Sequence, residues 1–98
     1  RQQSAWRDLA LVVAEGVTHD ALMSALLDDS AGLVRAATLF DVYRPKAGAE
    51  GWGEGERSLA VRIELRDDSA TLTEERIGVA MDAAVDRARR QVGARLRT

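Results

Sequence analysis

The sequence predicts an α+β domain in the order β-α-β-β-α-β. Three observations carry that expectation: apolar runs of strand length around Leu9–Val13, Leu33–Tyr43 and Ser58–Arg66; apolar residues at helical spacing after Thr18 and after Thr73; and a short closing segment, Ala94–Arg97. At 98 residues the chain, taken as one domain over residues 1–98, holds a two-layer core but no deep cleft between domains. With 46% apolar and 31% charged residues it falls in the soluble globular class. No apolar run approaches the roughly 20 residues of a membrane helix, so no membrane partner is expected. The chain has no cysteine, which excludes disulfides and thiolate metal sites and suits a reducing cytoplasm. Its first residue is Arg1 rather than methionine, and nothing nearby has the form of a signal peptide, so a piece of a longer polypeptide is expected.

Leu9-Ala10-Leu11-Val12-Val13, ended by Glu15-Gly16, reads as a largely buried first strand. Thr18 then stands where a hydroxyl caps a helix, and Leu22, Met23, Leu26 and Leu27 recur at helical spacing until Asp28-Asp29-Ser30 and Gly32 stop the pattern. The second and third strands are joined by a flexible connection containing Pro45 and four of the eight glycines, Gly48, Gly51, Gly53 and Gly55. Thr73 caps a longer helix, with Glu74 and Glu75 in the first turn, where the helix dipole favours negative charge. Ile77, Met81, Ala84, Ala88 and Val92 follow one face with Val85 beside them, and Gly93 ends the helix. This order is the ferredoxin-like arrangement: one four-stranded antiparallel sheet, two helices on one face, and the other face open.

Side chains alternate along a strand, so Phe40 and Val42 are expected to point one way and Leu39, Asp41 and Tyr43 the other. In the third strand Leu59, Val61, Ile63 and Leu65 make the buried set, leaving Ser58, Ala60, Arg62 and Glu64 to share the open face with Tyr43. A flat aromatic beside hydrogen-bonding groups on an antiparallel sheet is a means of reading unpaired bases. The net charge of −2 argues against gripping nucleic acid by bulk electrostatics, so any such contact is local. Arg7, Arg35, Arg44, Lys46, Arg57 and Arg62 offer positive charge, partly cancelled by Glu50, Glu54 and Glu56; taken alone these charges read as a solvated surface.

From Arg7-Asp8-Leu9-Ala10-Leu11-Val12-Val13 to Gly93-Ala94-Arg95-Leu96-Arg97 the chain resembles the C-terminal ferredoxin-fold anticodon-binding domain of the bacterial phenylalanyl-tRNA synthetase β subunit. The most specific parts are Arg7-Asp8, the run Leu39–Arg44, Glu54-Gly55, Ser58-Leu59-Ala60 and Thr71-Leu72-Thr73-Glu74-Glu75. The resemblance implies a non-catalytic module that grips the anticodon of phenylalanine tRNA, with Tyr43 stacking on a base and Asp41 and Ser58 supplying polar contacts. Arg44 and Arg62 complete the expected RNA-binding set. It also implies partners, the remainder of the β subunit and the α subunit in an assembly of two of each. The parent enzyme would use ATP and magnesium, with no cofactor in this domain. Gln3, Trp6 and the long loop between Tyr43 and Ser58 depart from the family pattern.

Other chemistry has little support. The loop lacks the lysine and following Ser or Thr of a phosphate-binding P-loop, and Trp52 within it reads as a local packing or mobile residue ahead of an RNA contact. His19 is the only histidine and suits a surface or capping role. Asp28-Asp29 and Asp67-Asp68 read as turn residues, and Arg87, Arg89 and Arg90 as solvated complements to the helix dipole. The rival reading is a free-standing ferredoxin-like module that binds a small molecule or a protein, since the fold hosts many functions. A small enzyme ranks last, because no acid, base and nucleophile converge.

Overall fold

A computed structural model describes residues 3–97. Arg1, Gln2 and Thr98, which the single-domain expectation includes, lie outside the described residues. The elements are β1 (Ala5–Val13), α1 (His19–Leu27), β2 (Val34–Tyr43), β3 (Arg57–Leu65), α2 (Glu74–Val92) and β4 (Arg95–Leu96). The strands form one antiparallel sheet in the order β2-β3-β1-β4, the ferredoxin-like topology. β1 begins at Ala5, earlier than its apolar run, because Trp6 and Asp8 fall on the open face, where polar and aromatic side chains do not interrupt pairing.

Both helices begin as their sequences require. The Thr18 hydroxyl accepts the Ala21 N–H at 3.0 Å and the Thr73 hydroxyl accepts the Arg76 N–H at 3.1 Å. α2 ends at Gly93, whose φ of 70° is costly for a residue with a Cβ and lets the Ala94 N–H reach the Ala88 carbonyl at 3.2 Å. Asp29 closes the turn after α1 by accepting the Ala31, Leu33 and Val34 N–H groups at 3.1, 2.9 and 2.9 Å.

The core lies between the helices and one sheet face. Leu11 and Val13 of β1 and Leu59, Val61, Ile63 and Leu65 of β3 pack with Leu22, Met23 and Leu26 of α1 and with Ile77, Ala80, Ala84 and Ala88 of α2. Three alanines four residues apart give α2 a smooth stripe. Arg87 departs from the solvated role expected for it: it is 8% exposed, and its Nε and one terminal nitrogen donate to the Ala25 and Leu26 carbonyls at 3.0 and 2.6 Å. The last carbonyls of a helix have no partner within it, and at α1 a side chain from α2 supplies one. Arg89 and Arg90 remain exposed, each paired with Asp86.

Candidate nucleic-acid interface

Strand pairing builds the open face. Ser58, Ala60, Arg62 and Glu64 of β3 stand opposite Val12, Ala10, Asp8 and Trp6 of β1. On β2, Tyr43 pairs with Ser58, Asp41 with Ala60 and Thr38 with Arg62. Strict alternation fails between them, because the register shifts between Leu39 and Asp41 and leaves Phe40 as the extra residue of a β-bulge. Leu39 therefore joins Val42 on the core face, opposite Val61 and Leu59, whereas Phe40 turns outward, 52% exposed, with the Arg62 guanidinium 5.1 Å from its ring centre. A signal for this was present: two apolar residues three apart, Leu39 and Val42, cannot both face the core of a regular strand.

Tyr43 is 45% exposed at the end of β2. Asp41, two residues back on the same face, is exposed and has no ion pair or side-chain hydrogen bond among the described residues. Arg44 follows Tyr43 and is also exposed. Arg62 is less free, since its Nε and a terminal nitrogen donate to the two Asp8 carboxylate oxygens at 2.8 and 3.0 Å. This bidentate pair holds the Asp8 carboxyl below its ordinary value and raises the Arg62 guanidinium. Ser58 lies under Tyr43 on the correct face but is only 2% exposed. The structure thus brings Asp41 and Tyr43 to one end of the open face with Arg44 exposed just beyond the strand, sets Arg62 toward the middle of the face and buries Ser58 in its floor.

The glycine-rich loop, expected to be a flexible connection, folds back over this end. Turns within it are closed by the Ala49 N–H to the Lys46 carbonyl and the Glu56 N–H to the Gly53 carbonyl, at 3.0 and 3.2 Å. Two nitrogens of Arg95 donate to the Glu56 carboxylate at 2.6 and 2.9 Å, and one also reaches the Gly51 carbonyl at 3.1 Å. Gly51 and Gly55 take φ of 83° and 78°, and a Cβ on Gly55 would also meet the Glu15 side chain at 3.0 Å. Trp52 is placed beside Tyr43, ring centres 5.8 Å apart and inclined at 54°. The Arg97 guanidinium lies over both rings, 4.5 Å from the Tyr43 centre and 5.6 Å from the Trp52 centre. Among the described residues, Arg44, Lys46 and Arg97 are the basic side chains with neither a carboxylate nor a carbonyl acceptor, and of these Arg97 lies over the Tyr43 ring.

Residues 1–97 match the family model of the ferredoxin-fold anticodon binding domain. The chain belongs to this family. Among similar proteins, the phenylalanine–tRNA ligase beta subunit of Chromobacterium violaceum is 45% identical over 91 residues, covering 93% of this chain and 11% of that protein. The corresponding subunit of Burkholderia pseudomallei is 41% identical over 96 residues, 93% of this chain and 12% of its own length. That of Corynebacterium efficiens is 38% identical over 91 residues, 93% of this chain and 10% of its own. The chain thus spans about a tenth of the length of the curated relatives it matches.

Among the described residues no group of three or more His, Cys, Asp or Glu side chains is placed to hold a metal, and no helix is long and apolar enough to cross a membrane. His19 is exposed at the start of α1, its Nδ1 3.5 Å from the Asp20 carboxylate.

The loop over Tyr43 is expected to respond to acid through Glu56. Hydrogen bonds from Arg95, then from the Gly53 N–H, hold its carboxyl below the ordinary 4.5. A depressed folded value means that the clamp's contribution is complete above 4.5 and is lost as pH falls through the lower folded value. In a Trp6→Phe background Trp52 is the sole indole, so its emission should hold steady from pH 7 to about 5 and change below about 4.5. Glu56→Gln should show the acid-form emission already at neutral pH; wild-type emission from that variant would mean that the clamp does not position Trp52.

Proposed function

We propose that this domain reads the anticodon of phenylalanine tRNA within a cytoplasmic phenylalanine–tRNA ligase, while aminoacylation takes place elsewhere in an assembly of two α and two β subunits. The observation that carries this reading is the exposed Tyr43 ring on an open sheet face, with unpartnered Asp41 on the same face and the uncompensated Arg97 guanidinium over the ring. A base stacked on Tyr43 gains affinity with little regard to its identity, so discrimination falls to its hydrogen-bonding neighbours. Asp41 is an acceptor that repels phosphate, which suits it to the donor edge of a base. Arg44 has a free charge for the backbone, whereas Arg62, its charge met by Asp8, offers a planar edge over Phe40. Ser58, 2% exposed, supports Tyr43 from the neighbouring strand.

ATP and magnesium, which such a ligase uses, belong in this reading to the rest of the enzyme. A protein-docking role would be favoured by one continuous apolar patch, but here the Asp8–Arg62 pair lies between Trp6 of β1 and Phe40 of β2, and Asp41 lies between Phe40 and Tyr43. The test is an NMR titration with the anticodon stem-loop of phenylalanine tRNA beside an altered-anticodon control. Shifts at Asp41 and Tyr43 should require the correct anticodon, and Tyr43→Ala should weaken binding by about 1–3 kcal/mol. Shifts confined to α1 and α2, or equal for both RNAs, would remove the sheet face as the site.

A further inference from the structure

Trp52 and Arg97 lie outside the residue set just assigned to the anticodon, yet they touch its central ring. We propose that they form a second nucleotide subsite adjoining Tyr43, in which the Trp52 indole takes the next base and Arg97 the phosphate between the two. This rests on the anticodon-reading role of Tyr43 and extends it by one nucleotide.

Placement is the first support. Trp52 is held by Arg95 bonding to Gly51 and Glu56 on either side of it in sequence, at 2.6 to 3.1 Å, and by Tyr43 at its ring. At 5.8 Å and 54° the two rings are too close and too inclined to sandwich a single base, so they serve as successive platforms. Charge is the second support. The Arg97 backbone is tied to β1 by its N–H donating to the Ala10 carbonyl at 2.8 Å, while its guanidinium rests on ring faces alone. A base arriving on Tyr43 displaces the guanidinium without breaking an ion pair, and the tethered cation stays within reach of the adjoining phosphate. Arg44 and Lys46 line the adjoining pocket with Trp52, in company with Glu15, Glu54 and Glu56, so Arg97 is the cation that the subsite relies on.

The test measures binding of phenylalanine tRNA to the protein as the cell makes it, using intact transcript and three transcripts each lacking one anticodon base. Trp52→Ala should weaken binding about fivefold or more, and Trp52→Phe should restore most of it. The Trp52→Ala loss should vanish on the transcript lacking the base next to the one whose absence silences Tyr43→Ala. Arg97→Met should reduce the slope of log affinity against log salt by about one. Wild-type binding by Trp52→Ala and Arg97→Met, with Tyr43→Ala still weak, would overturn the subsite and leave the anticodon reading intact. A Trp52→Ala loss equal on all three abasic transcripts would also overturn it. Unchanged binding by Tyr43→Ala would overturn the anticodon reading and the subsite with it.

Discussion

Arg87→Ala is expected to destabilise the folded chain by about 3 kcal/mol, seen as a lower midpoint in urea or heat. The guanidinium is buried between the helices and donates to two carbonyls at the end of α1, with a third nitrogen 3.9 Å from the Asp29 carboxylate. Alanine would strand the Leu26 carbonyl, leave the Ala25 carbonyl with only the long 3.4 Å bond from the Asp28 N–H, and leave Asp29, its side chain 9% exposed, without its cation. Each unmet group adds its own desolvation cost, which is why the loss exceeds that of a surface ion pair. Arg87→Met separates the causes, since it keeps the aliphatic stem and removes the donors. If Arg87→Met unfolds at the wild-type midpoint, packing of the stem rather than capping of α1 accounts for the residue.

Leu59→Ala should produce a loss of similar size, about 3 kcal/mol within the range of 2–5 kcal/mol for buried leucines. Leu59 is 1% exposed and occupies the middle of the sheet, paired with Leu11 on one side and Val42 on the other. Its two sequence neighbours, Ser58 and Ala60, form the floor under Tyr43 and Asp41, so the void would lie directly behind the proposed interface. Neighbouring strands cannot move in to fill it without breaking their ladders, so little relaxation is expected. An unfolding free energy lowered by less than about 1 kcal/mol would show that the sheet collapses around the missing side chain.

Much of this architecture is legible residue by residue. Thr18 and Thr73 announce the helix starts because a hydroxyl that accepts a backbone N–H is a local device, and Gly93 announces an end for the equally local reason that its φ is 70°. Leu59, Val61, Ile63 and Leu65 state which face of β3 is buried by simple alternation. Alternation assigned Asp41, Tyr43 and Ser58 to one face, and the strand register sets Asp41 opposite Ala60 and Tyr43 opposite Ser58. The register shift that turned Phe40 outward escaped the same reasoning, since a bulge is an agreement between two strands and is written only faintly in either one.

Sequence by itself determined the element order, the helix caps, the core face of β3 and the aromatic and acid of the proposed interface, because each depends on spacing within a single segment. Tertiary structure alone decided which cations are spent and which are free. Arg62 is neutralised by Asp8 across the sheet, Arg87 by the end of another helix and Arg95 by Glu56 from the loop, while Arg97 comes to rest on Tyr43 and Trp52, 54 and 45 residues away in the chain. Charge pairing is a matter of distance in space, and a near-neutral composition carries no record of where its unpaired charges gather.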